Sequence, residues 1–372
     1  MTGAAGLCGG IATANLNVLH ALVQLVKEVD GRLAVMSLLE QPSDRPGFLP
    51  DDVEFHAFAG KKVAFSSGLL RYITRQPLIC FDHVTLALPM LPFAAAGIVK
   101  TVIFAHGSEA WKRVRMTSRL SFRFATLTLT NSDFTLRKMH QRLKRFHSVA
   151  CPLGLSPEFE ANREIPLPGG EVLRFEAADG ESRDLGDQVL LLVARMHPGE
   201  REKGQYELLE VLPRMLERYP DVQLVFAGPG DDRKNLADAA MKKHVAHCVF
   251  LPGRVTHQQL ESLYRHCFAY VMPSKQEGFG LVHLEAMNCG KPCVGCRNDG
   301  AADVIVHGET GMLVADPTDR AELTAVLTEL LDAPVQAAEL GRNGFQRLHE
   351  MFTAEHYQQR VKEQLQKVVT CG

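Results

Sequence analysis

Within residues 273–292, PSKQEGFGLVHLEAMNCGKP, two carboxylates stand eight positions apart, Glu277 and Glu285, with Gly278 and Gly280 between them. The pattern reads as a strand ending at Ser274, a glycine-rich loop, and a helix starting near Leu281. A loop of this kind at a helix N-terminus turns backbone N–H groups and the positive end of the helix dipole toward an anion, typically a phosphate. Glu277 belongs to the loop and Glu285 lies about one turn into the helix, so both can face one crevice. Carboxylates there accept strong hydrogen bonds from sugar or ribose hydroxyls. The same two residues also suit a plain helix-dipole preference, with Glu277 as the dipole's partner and Glu285 in solvent.

Three other groupings carry less. The Asp51–Asp52 and Asp231–Asp232 pairs offer oxygen ligands to a hard cation, but they sit in loops without further clustered oxygens, and no metal is expected. Cys289, Cys293 and Cys296 fall short of the four ligands of a structural zinc site and read as a helix end entering a strand. Between residues 112 and 145 lie Lys112, Arg113, Arg115, Arg119, Arg123, Arg137, Lys138, Arg142, Lys144 and Arg145, against one acid, Asp133. A solvated face is the common meaning of such a strip. Interleaved with Trp111, Phe122, Phe124, Met139 and Phe146, it also suits contact with an anionic lipid surface or an anionic acceptor.

The elements that must position these groups follow from hydrophobic period. From about residue 187, short β-branched runs alternate with amphipathic stretches: VLLLVAR (189–195), a helix with Leu208, Leu212, Met215, Leu216 and Tyr219 on one face, VQLVFAG (222–228), CVFLPG (248–253), HQQLESLYRH (257–266) and FAYVMPS (268–274). This switching between periods 2 and 3.6 predicts a doubly wound parallel sheet. The first half repeats the theme less regularly, with a helix over 12–29, strands at LAVMSLL (33–39), TVIFAHG (101–107) and ATLTLTNS (125–132), and a cap at Asn131 or Ser132. Two Rossmann-like α/β domains are expected. The boundary is placed near CPLGLSPEF (151–159), before a polar, glycine-rich stretch at 162–187. Residues 1–153 then form one domain, 154–351 the second, and 352–372 a last helix free to pack back on the first.

Composition narrows the classes. At 372 residues, 46% apolar and 23% charged, the chain excludes disordered, collagenous and small disulfide scaffolds. Net charge is −2, yet residues 1–150 carry +8 and the remainder −10, so the first half is the one to meet an anion; nucleic acid is not expected. Nine scattered cysteines, Cys8, Cys80, Cys151, Cys248, Cys267, Cys289, Cys293, Cys296 and Cys371, predict reduced thiols and a cytoplasmic setting. MTGAAGLCGG has no signal-peptide pattern, and the longest apolar run, Val84 to Val99, is broken by Pro89 and Pro92 and is too short to span a membrane.

The 277–285 segment resembles the E-x7-E signature of the retaining family-4 glycosyltransferases, whose GT-B architecture sets two Rossmann-like domains face to face across a cleft. The resemblance extends along the chain. VARMHPGEREKGQYELLEVLP (193–213) is similar to the family's Arg…Lys-Gly loop, here Arg195, Lys203 and Gly204. FAGPGDD (226–232), LPGRV (251–255), VIVHGETGMLV (304–314) and DPTDRAEL (316–323) match in order and spacing, GGIATANLN (9–17) is similar to the opening Gly-Gly loop, and FAHGSEAW (104–111) to a His-Gly element. One departure stands out: the family places a buried strand before the Gly-Gly loop, and MTGAAGLC is poor in β-branched residues.

The resemblance implies transfer of a glycosyl unit, with retention and without a metal, from a nucleotide-diphosphate sugar to an acceptor hydroxyl in surface polysaccharide or glycolipid synthesis. It implies that Arg195 and Lys203 take the diphosphate charge, and that Glu277 contacts the donor sugar. Glu285 would contact the ribose, and Gly278, Phe279, Gly280 and Leu281 would offer backbone to sugar and phosphate. His106 would lie near the anomeric carbon, and Gly9 and Gly10 beside the donor. The companion expectation of the basic strip is peripheral attachment to the inner face of a membrane. Two other functions fit the same pocket: a nucleotide-sugar epimerase, and a silent nucleotide-sugar-binding subunit, which would have no chemical need to keep Arg195, Lys203, Glu277 and Glu285 together. A nicotinamide dehydrogenase lacks its G-x-G-x-x-G fingerprint here.

Overall fold

A computed structural model describes residues 1–4, 9–75, 78–111, 114–157, 159, 161–167 and 172–370. The chain divides into two compact units, one of residues 1–160 with 351–372, the other of residues 161–350.

In the first unit, β1 (Ala34–Ser37) and β2 (Glu54–Ala57) form a parallel pair, while β3 (Leu78–Phe81), β4 (Lys100–Ala105), β5 (Leu127–Thr130) and β6 (Ser148–Ala150) form a four-stranded parallel sheet in that order. The helix Gly10–Glu28 buries Ala14, Val18, Ala21 and Leu25, a helical spacing that gives one apolar face. The helix Ala354–Thr370 packs on it through Tyr357, Val361, Leu365 and Val368, with Gln358 Nε2 donating to Asn17 Oδ1 at 2.9 Å and Lys362 paired with Glu28 at 2.9 Å. Ser132 caps the helix Asp133–Arg142 by accepting from Thr135 N.

Part of the basic strip differs from its reading. Trp111, Phe122 and Met139 are core residues, and Met116 and Phe124 are the exposed apolar side chains of that stretch. The helix Met116–Phe124 puts Arg119 and Arg123 beside Met116 on its outer face, with Arg115 at its N-cap. Lys112 and Arg113 lie outside the described residues, as do residues 5–8 of the opening segment.

The second unit holds an antiparallel hairpin, β7 (Arg174–Glu176) and β8 (Ser182–Asp184), in the stretch read from sequence only as polar and glycine-rich. Its strands are three residues each, too short to show a period in sequence; a bridge from Ala177 to Phe250 seats it on the sheet. The sheet itself comprises β9 (Val189–Val193), β10 (Gln223–Ala227), β11 (Val249–Gly253), β12 (Ala269–Val271), β13 (Cys293–Cys296) and β14 (Gly311–Val314). All are parallel, in the order β11-β10-β9-β12-β13-β14. These strands are buried on both faces, which is why they read as continuous apolar runs. The strand order reverses between β9 and β12, and in sheets of this kind ligands bind beyond the carboxyl ends of the strands at that switch point. The helix after β9 ends at Leu216, one turn before Tyr219, whose hydroxyl instead donates to Asp332.

Candidate functional site

The loops leaving β9 and β12 hold most of the candidate residues, and their backbones are tied together. Lys275 N–H donates to Glu202 O at 2.8 Å, and Lys275 Nζ pairs with Glu207 at 2.8 Å. Gly204 has φ +101°, and a Cβ there would lie 2.7 Å from the Pro273 ring, so only glycine lets the first loop lie this close to the second. The consequence is that Lys203 Nζ meets Glu277 Oε2 at 2.7 Å, although the residues are 74 apart in sequence.

Both members of this pair are partly exposed, at 25% and 18% of their side chains, so a ligand can reach them. Burial pushes the Glu277 carboxyl up, but the Lys203 charge and hydrogen bond outweigh it and hold the group below its ordinary value. Burial likewise pulls the Lys203 ammonium down, and Glu277 more than restores it, to above the ordinary lysine value. Glu277 Oε1 also accepts from Gly278 N–H at 3.1 Å, which fixes the carboxylate in the loop.

Gly280, at φ +91° and ψ 60°, starts the helix Leu281–Asn288; a Cβ on it would lie 2.5 Å from His283 Nδ1. The loop therefore delivers the helix N-terminus to the same corner as Lys203 and Glu277. Phe279 is buried to 1%, so this position can offer a ligand backbone and not its ring. Glu285 is half-buried and accepts from the hydroxyl of the buried Tyr264 at 2.7 Å, so the fully solvated reading of this carboxylate does not hold. Arg195 follows β9 with its side chain 71% exposed and pairs with Glu200 at 3.0 Å. It stands at the carboxyl end of the same strand but has a partner of its own.

A third loop completes the corner. Gly300 N–H donates to Glu277 O at 2.9 Å, and a Cβ on Gly300 would lie 2.3 Å from Gly278 O. Beside it Asp299 is buried; Oδ1 accepts from Ala301 N–H at 2.8 Å, and Oδ2 has no hydrogen-bond partner. Burial holds its carboxyl well above the usual range. His283 is also fully buried, its ring edge-on to Tyr270 at 5.2 Å, and burial pulls its pKa down to about 4, so it is neutral. Sequence reading passed over both residues. An Asn-Asp-Gly turn after a strand was the available signal for Asp299, and His283 carried none, since a histidine inside an apolar helix run reads as core.

The remaining candidates sit elsewhere. His106 follows β4 in the first unit, with its backbone N–H on Glu109 Oε1, its carbonyl accepting from Asn131 Nδ2, and its buried Nε2 without a partner among the described residues. Burial lowers its pKa. Gly9 has φ +120° and precedes the helix beginning at Gly10, and both glycines are exposed. Asp232 is consumed by structure: its oxygens take Arg201 at 3.1 Å, Tyr206 at 2.8 Å and Asn235 at 2.6 Å. The cysteine trio is buried; burial pushes the thiols of Cys289 and Cys296 up to about 12 and about 11, and that of Cys293 further, the opposite of a reactive thiolate.

Residues 175–347 match the family model described as glycosyl transferases group 1. Over its whole length the chain superposes on Anabaena HepE, solved with UDP and glucose, at a TM-score of 0.73 with 18% identity, covering 98% of each chain. It also superposes on the sucrose-phosphate synthase of Thermosynechococcus elongatus at 0.76 with 18% identity, covering 98% and 95%. The fold is that of the GT-B glycosyltransferases. Among curated proteins it is 30% identical over 259 residues to a GDP-mannose-dependent phosphatidylinositol monomannoside mannosyltransferase of Mycolicibacterium smegmatis, 67% of this chain and 65% of that one. It is 36% identical over 163 residues to a glycogen synthase of Mycobacterium tuberculosis, 44% of this chain and 38% of that protein. The chain thus spans less than two thirds of the length of the curated relatives it matches. In this GT-B chain the switch-point corner lies within the family-matched segment.

Proposed function

We propose that the protein is a retaining, metal-independent glycosyltransferase of the family-4 type, with Glu277 and Glu285 as its E-x7-E pair. It moves a sugar from a nucleotide-diphosphate sugar to an acceptor hydroxyl in glycolipid or surface polysaccharide synthesis. The observation that carries the reading is the Lys203–Glu277 contact at 2.7 Å beside the Gly280 helix start, at the switch point of a six-stranded parallel sheet. A cation, a helix N-terminus and a carboxylate converge there, which is what a sugar diphosphate asks for.

In this reading the donor's phosphates take over Lys203's charge, with Arg195 swinging from Glu200 to the second phosphate. As the anomeric bond breaks, negative charge grows on the leaving diphosphate, and these two cations with the dipole at Gly280 stabilise it; one such group is worth ~3 kcal/mol of barrier. Glu277 then orients the sugar hydroxyls, and Glu285, held by Tyr264, the ribose. Departure and attack share one face of the sugar, so configuration is kept. The two relatives named above support a glycosyl donor and either a lipid-linked or a glucan acceptor. The exposed Met116 and Phe124 among Arg115, Arg119 and Arg123 favour an anionic lipid surface.

Slow hydrolysis of the donor tests the chemistry without knowledge of the acceptor. In EDTA, NMR of freshly released sugar should show the donor's own anomer first. The opposite anomer first contradicts retention, an epimerised nucleotide sugar makes the protein an epimerase, and rescue by Mg²⁺ or Mn²⁺ contradicts metal independence.

A further inference from the structure

Lys203 serves a corner that holds two acids. Its Nζ is 2.7 Å from Glu277 Oε2, and the Asp299 loop is tied to the same place, with Gly300 N–H donating to Glu277 O at 2.9 Å. The two acids are provided for unequally. Glu277 has the lysine and the Gly278 N–H. Asp299 is 0% exposed; its Oδ1 has the Ala301 N–H at 2.8 Å, and its Oδ2 has no partner among the described residues. A carboxylate shut away from water with one hydrogen bond and no ion pair costs more than the same group carrying its proton.

The other titratable groups on this side supply no charge to offset that cost. His283, on the helix Leu281–Asn288, is neutral, and its Nε2 would lie 3.4 Å from a Cβ on Gly295, which would also lie 2.7 Å from the Ala301 side chain. The Cys296 thiol at the end of β13 is pushed up to about 11 by burial and stays uncharged. Burial, with the Glu277 charge behind it, holds the Asp299 carboxyl well above the usual carboxylate range, and the pull of Lys203 does not reverse this. With Asp299 protonated, Lys203 and Glu277 cancel. With it ionised, the corner carries one uncompensated negative charge where water screens little.

We propose that Asp299 is a positioning residue of the donor site: as a carboxylic acid it leaves Lys203 to Glu277 alone and free to pass to an incoming diphosphate, and as a carboxylate it holds Lys203 back and repels that diphosphate. The inference rests on the reading of this corner as a nucleotide-diphosphate sugar site. A bound diphosphate adds negative charge beside Asp299 and so favours its protonated form. Binding therefore takes up a proton once Asp299 is ionised in the free protein, and donor affinity falls as pH rises.

Calorimetric titration of wild type and Asp299→Asn with UDP-, GDP- and ADP-sugars in EDTA, at about pH 5.5 and pH 8.5, tests it. Asn keeps an acceptor for Ala301 N–H and cannot ionise, and the sugar-linked diphosphate keeps both its charges over this range. The two proteins should bind alike at the lower pH. At the higher, wild type should have lost at least tenfold in affinity and the variant less than threefold. Without any variant, the heat of binding to wild type at the higher pH should change with the ionisation enthalpy of the buffer, which reports proton uptake. Equal pH dependence in the two proteins, or no proton uptake by wild type, overturns the proposal. Infrared spectra of the ligand-free proteins at the lower pH separate this failure from that of the donor reading: wild type should show the carbonyl stretch of an un-ionised carboxyl that Asp299→Asn lacks. Absence of that band overturns the proton on Asp299 whatever the protein binds. The band without binding of any nucleotide sugar at either pH overturns the donor reading, and the role of Asp299 with it.

Discussion

At Lys203 and Glu277 the ionisation of each side chain depends on the other, and the pair therefore has a defined pH window. Glu277 is held below its ordinary value, so its contribution to stability is complete above ~4.3 and is lost as pH falls below it; that of Lys203 is complete below ~10.4 and is lost above. Asp299 runs the other way. Its folded pKa is raised, so its contribution is present at low pH and is lost as pH rises past the ordinary carboxylate value. Asp299→Asn should therefore raise the thermal midpoint relative to wild type by a margin that grows from pH 4 to pH 8. A parallel pH dependence of the two proteins in calorimetric scans would show that Asp299 is not held neutral. For the chemistry, Lys203→Ala and Arg195→Ala should each lower kcat/KM by about 10²-fold with the fold intact, because a charge-assisted contact to a developing anion is lost. Near-wild-type rates in either variant would remove that residue from the diphosphate.

Loops tied to strand ends set these distances, and glycines set the loops. Gly204→Ala would push against the Pro273 ring from a left-handed backbone position, costing about 1–3 kcal/mol, and would part Lys203 from Glu277. We expect a lower thermal midpoint together with weakened donor binding in a variant that still folds; unchanged donor affinity would mean that the loop contact does not set the site. The outer face of the helix Met116–Phe124 should hold the protein on anionic vesicles, since each basic residue near such a surface contributes about 1 kcal/mol. Sedimentation with phosphatidylglycerol vesicles should fall with salt, and should fall at low salt when Arg115, Arg119 and Arg123 are changed together to Ser. Equal sedimentation of that variant would place the attachment elsewhere.

The strands of the second unit were legible because burial on both faces leaves continuous apolar runs, and the Gly280 helix start because its loop breaks that pattern. The hairpin over 174–184 was not, since three-residue strands have no period to read. Nor was the contact from Tyr264 that makes Glu285 half-buried, or the Asp299 loop, because Tyr264 and Glu285, 21 residues apart, and Glu277 and Gly300, 23 apart, come together only through the strand order.

For the molecule as a whole, the charge asymmetry, the switch point and the match over 175–347 bear on one claim, that the second unit holds a nucleotide-diphosphate sugar through Lys203 and the Gly280 helix start. Calorimetric titration of wild type and Lys203→Ala with a panel of UDP-, GDP- and ADP-sugars in EDTA tests that claim most directly. The account predicts saturable binding of at least one of them by the wild type, weakened by at least tenfold in the variant. Binding of none, or equal binding by both proteins, would contradict it.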